Sequence, residues 1–253
     1  MSRSAGNHCR RAILCIHGGG SSPAIFRFQT SRIRAALNGE FVFFFATAPH
    51  LSEAGPEVLP FFEGMEPYLA WFRYIDNNVR LLDDTNETLG VSKSIEQEIT
   101  TFNDSIRKAV DKLKASGPSV EVVGVLGFSQ GAIAATVLLW EQQAGLVPWL
   151  PSLETAVLIC SGYREIMTEY MRDFCSTKCL GEDEMVIKVP TLHLGGRKDV
   201  YGFPHSWRMF TTHFSPDSSE FHEFEGGHEL PKSLEDIQLV AQYFMKQLDG
   251  SKM

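Results

Sequence analysis

The pentapeptide Gly127-Phe128-Ser129-Gln130-Gly131 constrains this chain more than any other stretch. An apolar run at 120–126 precedes it and a helical pattern at 132–140 follows. A serine between two glycines, where a buried strand turns straight into a helix, is the pattern of a nucleophile elbow. The turn is so tight that the serine backbone is strained and the flanking positions have no room for a Cβ. Ser129 is therefore the candidate nucleophile. A Gly-rich strand-to-helix turn with a surface serine is the plainer alternative.

A nucleophilic serine needs a base, an acid that orients the base, and donors for the oxyanion. In folds with this elbow the order along the chain is serine, acid, histidine. Residues 189–196 read as a buried strand ending in Gly195-Gly196, and Asp199 follows in a charged loop, which makes it the candidate acid. Residues 220–224 alternate like a strand. The loop Glu225-Gly226-Gly227-His228-Glu229-Leu230-Pro231 comes next, so His228 is the candidate base. An imidazole with an ordinary pKa near 6.5 can take the serine proton and return it to a leaving group. His17 and His193 fall in or at the ends of apolar strands, His205 and His213 on a predicted helix, and His222 inside a strand. His8 and His50 precede the elbow. For the oxyanion, Gln130 follows the nucleophile, and the strand Ala12-Ile13-Leu14-Cys15-Ile16 runs into His17-Gly18-Gly19-Gly20. The backbone N–H groups of Gly19 and Gln130 are the expected donors. That glycine loop has neither G-K-[ST] nor G-x-G-x-x-G spacing, which excludes a phosphate loop.

The chain resembles the fungal serine hydrolase (FSH) family of α/β-hydrolases. The matching residues are Ile13-Leu14-Cys15-Ile16-His17-Gly18, Ile25-Phe26-Arg27-Phe28-Gln29-Thr30, Ala48-Pro49-His50, the elbow, Gly195-Gly196-Arg197-Lys198-Asp199 and Gly227-His228-Glu229-Leu230-Pro231. The version with His17-Gly18-Gly19-Gly20-Ser21-Ser22 is similar to the polyketide-pathway thioesterase branch. The resemblance implies an α/β-hydrolase fold and hydrolysis of an acyl thioester, carried by an acyl carrier protein of a polyketide synthase, or of a small ester. It implies no cofactor. A general carboxylesterase is the first alternative, and a non-catalytic ligand-binding protein on the same fold is a remote one.

A length of 253 residues suits one α/β domain spanning 1–253. Strands and helices alternate, so a mostly parallel sheet with helices on both faces is expected. The clearest helix covers 92–116, with Ile95, Ile99, Phe102, Ile106, Val110 and Leu113 on one stripe and Ser94 and Gln97 as a capping box. Two stretches break the rhythm, 47–90 and 163–186, and both are candidate pocket or lid segments. Aromatic residues there would shape an acyl pocket, with Phe61, Phe62, Trp71 and Tyr163 as candidate substrate-binding residues. Ordinary packing of those aromatics against the body is the alternative.

A net charge of −8 argues against a general nucleic-acid or anionic-membrane binder, and no apolar run reaches membrane-spanning length. Five cysteines with no second metal-like pair beside Cys175 and Cys179 read as reduced thiols in a cytoplasmic protein, without a metal site. The terminal Ser251-Lys252-Met253 nearly matches a peroxisomal address, which is the alternative location. Residues 1–39 carry six arginines and no acid. Ser22-Pro23 begins a helix whose inner side is Ile25, Phe26, Gln29, Ile33 and Leu37. Its Arg27 and Arg34 are expected to dock an acidic carrier, with simple solvation of the helix as the alternative.

Overall fold

The computed structural model describes residues 9–37, 39–55, 58–73, 95–117 and 120–249. Six strands form one sheet in the order β2-β1-β5-β6-β7-β8, and every neighbouring pair is parallel. They are β1 (Arg10–Ile16), β2 (Val42–Phe45), β5 (Val120–Phe128), β6 (Thr155–Ile159), β7 (Thr191–Gly196) and β8 (Ser219–Phe224). Two short strands, β3 (His50–Ser52) and β4 (Tyr68–Ala70), pair antiparallel outside it.

The sheet divides its side chains by parity, as a pleated strand must. Ala12, Leu14 and Ile16 of β1 join one core, and Ile13 and Cys15 join the other. The first core is closed by α3 (Ile95–Ala115), α4 (Gln130–Gln143), α5 (Glu165–Thr177) and Met209 of α6 (Gly202–His213). The second is closed by α1 (Pro23–Gln29), α2 (Ser31–Ala36) and α7 (Leu234–Asp249). On β5 the parity changes once. Val122 and Val125 face the first core, and Val123 and Leu126 the second. The register with β1 shifts at the same place, from Ala12↔Val122 to Ile13↔Gly124. The extra residue is a β-bulge, and it decides which face Phe128 takes at the strand end.

Helix α4 is buried from Gln130 to Glu141 on every side, as expected of a central helix in an α/β layer. Helix α3 buries the stripe Ile99, Phe102, Ile106, Val110 and Leu113, as the periodicity predicts; Ser94 of the expected capping box lies outside the described residues. The helix expected after Ser22-Pro23 forms with Ser22 as N-cap, Ile25 N–H donating to Ser22 Oγ at 3.3 Å. It does not run on to Leu37: it breaks at Thr30 into α1 and α2, although Ile25, Phe26, Ile33 and Leu37 are buried as expected. The Thr30 hydroxyl donates back to Phe26 O at 2.7 Å, a local bond that competes with helix continuation. Helix α7 is fixed at its start, where Asp236 N–H donates to Ser233 Oγ at 3.0 Å and His222 Nε2 of β8 meets Asp236 Oδ1 at 2.8 Å. Among the described residues no helix is long and apolar enough to cross a membrane.

The parallel registers bring the carboxyl ends of the strands to one edge. Phe128 pairs with Ile159, Ile159 with Leu194, and Gly196 with Phe224. The residues that follow those strands therefore gather on that edge, where open α/β sheets bind their ligands.

Candidate active site

Ser129 occupies the turn between β5 and α4 with φ 55° and ψ −122°. A side-chain-bearing residue in that region carries strain of about 1–3 kcal/mol, and the neighbours must hold it there. They do so on both sides. Ser129 N–H donates to Ile159 O at 2.9 Å, and Ser129 O accepts from Ala132 and Ile133 at 2.9 and 3.1 Å. A Cβ on Gly131 would collide with the carbonyl oxygens of Ile16 and His17, so only glycine lets α4 start this close to β1.

The loops after β7 and β8 meet above the serine. Arg197 N–H donates to Phe224 O at 3.0 Å and Lys198 N–H to Gly226 O at 2.8 Å. A Cβ on Gly196 would strike the carbonyl oxygens of Gly226 and Gly227, so glycine is required for the two loops to lie together. Their side chains form one line with Ser129. His228 Nδ1–H donates to Asp199 Oδ2 at 2.7 Å, and His228 Nε2 accepts from Ser129 Oγ at 2.8 Å. The Phe128 ring lies 5.5 Å from the imidazole, tilted by 42°, and limits its swing. Asp199 Oδ1 accepts from Gly202 N–H at 2.8 Å, at the start of α6. Burial works to raise the Asp199 carboxyl. The bonds from His228 and Gly202 N–H, with the nearby imidazoles of His228 and His205, outweigh it and hold the group below the ordinary carboxylate range.

The glycine loop after β1 is pinned rather than free. Gly20 N–H donates to Leu69 O at 2.9 Å, Leu69 N–H to Ser21 O at 2.7 Å, and Gly55 N–H to Gly20 O at 2.9 Å. Gly18, Gly19 and Ser21 line the same cavity as Ser129 and His228. Gln130 is the first residue of α4, and first-turn N–H groups have no partner within their own helix. The Gln130 side chain is buried beneath, its Oε1 accepting from Trp71 N–H at 2.7 Å.

The cavity is about 1670 Å³. Phe61 and Phe62 line it, with Phe28, Leu59 and Met65. Trp71 and Tyr163 are corrections. Trp71 is 0% exposed and Tyr163 5%, and neither lines the cavity. Trp71 packs edge-on against Phe102 and gives its indole N–H to His17 O at 2.7 Å. The Tyr163 hydroxyl donates to Glu165 at 2.9 Å and accepts from Thr168 at 3.0 Å. Each is an aromatic whose polar tip has found a partner inside the protein, the usual fate of a buried indole or phenol. The stretch 163–186 is mostly α5, whose Met167, Met171 and Cys175 complete the first core, and only Arg164 of that stretch lines the cavity. Of 47–90, residues 56–57 and 74–90 lie outside the described residues.

Sequence reasoning missed the internal ties of Trp71 and Gln130, the Gly202 N–H on Asp199, and Cys160 beside the histidine loop. Arg27 and Arg34, the residues expected to dock a carrier, lie outside the cavity wall: Arg34 donates to Arg27 O at 2.9 Å and the Arg27 guanidinium sits 5.8 Å over Phe45. The cations lining the cavity are Arg32, Arg164 and Lys232.

Residues 7–240 match the family described as serine hydrolase (FSH1). The chain belongs to the FSH1 serine hydrolase family. The family is one of serine hydrolases. It is 39% identical over 245 residues to the dihydromonacolin L-[lovastatin nonaketide synthase] thioesterase of Aspergillus terreus, covering 93% of this chain and 91% of that protein. It is 39% identical over 244 residues to the esterase mlcF of Penicillium citrinum, covering 96% and 92%. In fold it is similar to acyl-protein thioesterase 2 of Zea mays, with a TM-score of 0.60 at 18% identity over 98% of this chain and 97% of that one.

Proposed function

We propose that this FSH1 hydrolase releases an acyl or polyketide chain from a carrier protein, with Ser129, His228 and Asp199 as its catalytic triad. The observation that carries the reading is the continuous line Asp199–His228–Ser129, with bonds of 2.7 and 2.8 Å. His228 Nε2 takes the Ser129 proton as Oγ attacks the carbonyl carbon. The N–H groups of Gly19 and Gln130 receive the oxyanion. The tetrahedral intermediate collapses, and His228 returns its proton to the departing thiolate or alkoxide. Water then attacks the acyl-enzyme, giving its proton to His228, and Ser129 leaves with that proton restored. Asp199 fixes the Nδ1–H tautomer throughout and stabilises the imidazolium.

A large acyl substrate is supported by the cavity, whose volume exceeds the roughly 300–1,000 Å³ usual for small-molecule sites. Its mouth carries a lip of apolar residues that water does not favour: Phe61 is 85% exposed, and Phe28, Leu59, Met65 and Tyr201 are exposed too. Carriers are supported by the charge at the mouth. Arg32, Arg164 and Lys232 stand there in a chain of net charge −8, three cations against the two acids Asp199 and Glu229, the latter paired with Lys232. The relatives named as a lovastatin nonaketide synthase thioesterase and as an esterase, each covered over at least 91% of its length, support both leaving-group classes. None of the five cysteines is in a disulfide, which supports a reducing compartment such as the cytoplasm.

Intact-mass spectrometry after exposure to acyl thioesters and aryl esters tests the chemistry. An acyl adduct on Ser129 is expected, and an adduct elsewhere or none at all overturns the assignment. Charge reversal at Arg32 and Lys232 tests the carrier. It is expected to lower kcat/KM for carrier-bound acyl groups in a salt-dependent way and to spare a free thioester. An equal effect on both substrates removes the docking role.

A further inference from the structure

Cys160 is used by nothing in the mechanism above, yet it stands inside the catalytic constellation. It follows β6 directly, on the same sheet edge as Ser129, and its backbone adopts φ 50°. A side-chain-bearing residue in the left-handed region is uncommon, and such outliers gather at functional sites. The conformation aims Sγ at the histidine loop, 3.9 Å from Gly227 O and 3.6 Å from Glu229 O, the two carbonyls flanking His228. Cys160 Sγ, a ring nitrogen of His228 and a carboxylate oxygen of Asp199 all lie within 4.8 Å of one another. All three residues line the cavity, His228 and Asp199 partly exposed and Cys160 2% exposed.

Thiolate, imidazole and carboxylate together are a ligand set for a borderline-soft divalent cation, above all Zn²⁺. With bonds of about 2.0–2.3 Å, ligands around one tetrahedral ion stand roughly 3–4 Å apart. The three groups reach that spacing by movements of about an ångström. Three protein ligands leave a fourth position for water. By contrast, Cys175 is buried in the first core and Cys179 is exposed, and neither joins such a group among the described residues.

We propose that Cys160, Asp199 and His228 form a reversible inhibitory site for a thiophilic divalent cation. Binding displaces the thiol proton to solvent and leaves a thiolate–metal bond. If the metal takes His228 Nδ1, the ring proton moves to Nε2, which then cannot accept the Ser129 proton. If it takes Nε2, the base is capped outright. In both cases Asp199 is drawn from its tautomer-fixing bond to the metal. Because one proton is released per ion bound, inhibition strengthens as pH rises. The inhibitory consequence rests on the triad assigned above; the metal site itself does not.

The probes are Zn²⁺ for activity and Co²⁺ for coordination, on chelator-treated full-length protein. Zn²⁺ is expected to inhibit hydrolysis of a small aryl ester, with full recovery on adding a chelator and tighter inhibition at higher pH. In Cys160→Ala and the near-isosteric Cys160→Ser, each measured against its own metal-free rate, the inhibition constant is expected to rise at least about tenfold. Co²⁺ is expected to give a thiolate-to-cobalt charge-transfer absorption in the wild type and in Ser129→Ala, and none in Cys160→Ala. Inhibition of equal strength in the Cys160 variants, or no thiolate band in the wild type, overturns the site. If Ser129→Ala remains active, the triad assignment is the one that fails, and the cobalt band still decides the metal site.

Discussion

The indole of Trp71 donates its N–H to the backbone carbonyl of His17 at 2.7 Å from a fully buried position. The backbone N–H of the same Trp71 donates to the Gln130 side chain at 2.7 Å. One residue thus ties the strand end that carries Gly19 to the helix start that carries Gln130. A residue that does not line the cavity links the two segments that carry the proposed oxyanion donors.

Trp71→Phe keeps the ring and removes the N–H, leaving His17 O without its donor. A stability loss of about 1–3 kcal/mol is expected from the unpaired buried carbonyl. A fall in kcat is expected with it, of similar size for short and long acyl esters. Denaturant midpoints and a chain-length series of kcat and KM check this. A KM effect that grows with chain length would return Trp71 to the pocket wall.

Ser129→Ala and His228→Ala should each lower kcat by roughly 10⁴–10⁶, and the double variant should be hardly worse than either, because the residues act as a unit. Asp199→Asn should cost about 10⁴, since it cannot hold the Nδ1–H tautomer. Single-turnover rates on an aryl ester measure all three. Near-full activity in Asp199→Asn would assign the acid elsewhere.

Phe61 belongs to the apolar lip and is bound by little of the protein itself. Phe61→Ala is expected to leave the melting temperature within about 1 °C, because an exposed side chain contributes little to stability. It is expected to raise KM for long acyl chains several-fold while sparing acetyl esters. Comparing kcat/KM across chain length checks this, and a uniform change would remove Phe61 from substrate contact.

Acid sensitivity follows from buried imidazoles. Burial pushes His17 down to about 4, against the opposing pull of its bond to Gly18 O, and pushes His193 down to about 3. Unfolding restores the ordinary value near 6.5. Between these values the unfolded chain binds protons that the folded chain refuses, so stability is lost as pH falls from about 6.5 toward 3–4 and is unaffected above. His193 packs against Phe210 and Phe214, with ring centroids at 5.2 and 4.3 Å. Neither ring nitrogen has a hydrogen-bond partner among the described residues. His193→Leu should therefore flatten the fall in melting temperature between pH 6.5 and 4 without lowering it at pH 7. Thermal melts of both proteins across that range decide it.

Local sequence alone determined the elbow, the identity of the acid and base candidates, and the α/β order of elements. The reason is that each depends on short-range chemistry. A strand-to-helix turn needs Gly127 and Gly131, an amphipathic helix needs the Ile99–Phe102–Ile106 spacing, and the chain order of serine, acid and histidine is read directly. What lay beyond it were relationships between residues far apart in number. An aromatic in an irregular segment looks the same whether it lines the cavity, as Phe61 does, or braces the scaffold, as Trp71 does. Packing makes that choice, because a buried indole must find an acceptor and the His17 carbonyl offers one. The arginine pattern was ambiguous for a like reason: Arg32 lines the cavity, whereas Arg34 donates to Arg27 O across the break at Thr30. Cys160 gained its place beside His228 only when parallel pairing set the end of β6 next to those of β5 and β7. Tertiary structure decided these points because hydrogen-bond partners and cavity walls are assembled across the sheet edge, where separation along the chain carries no information.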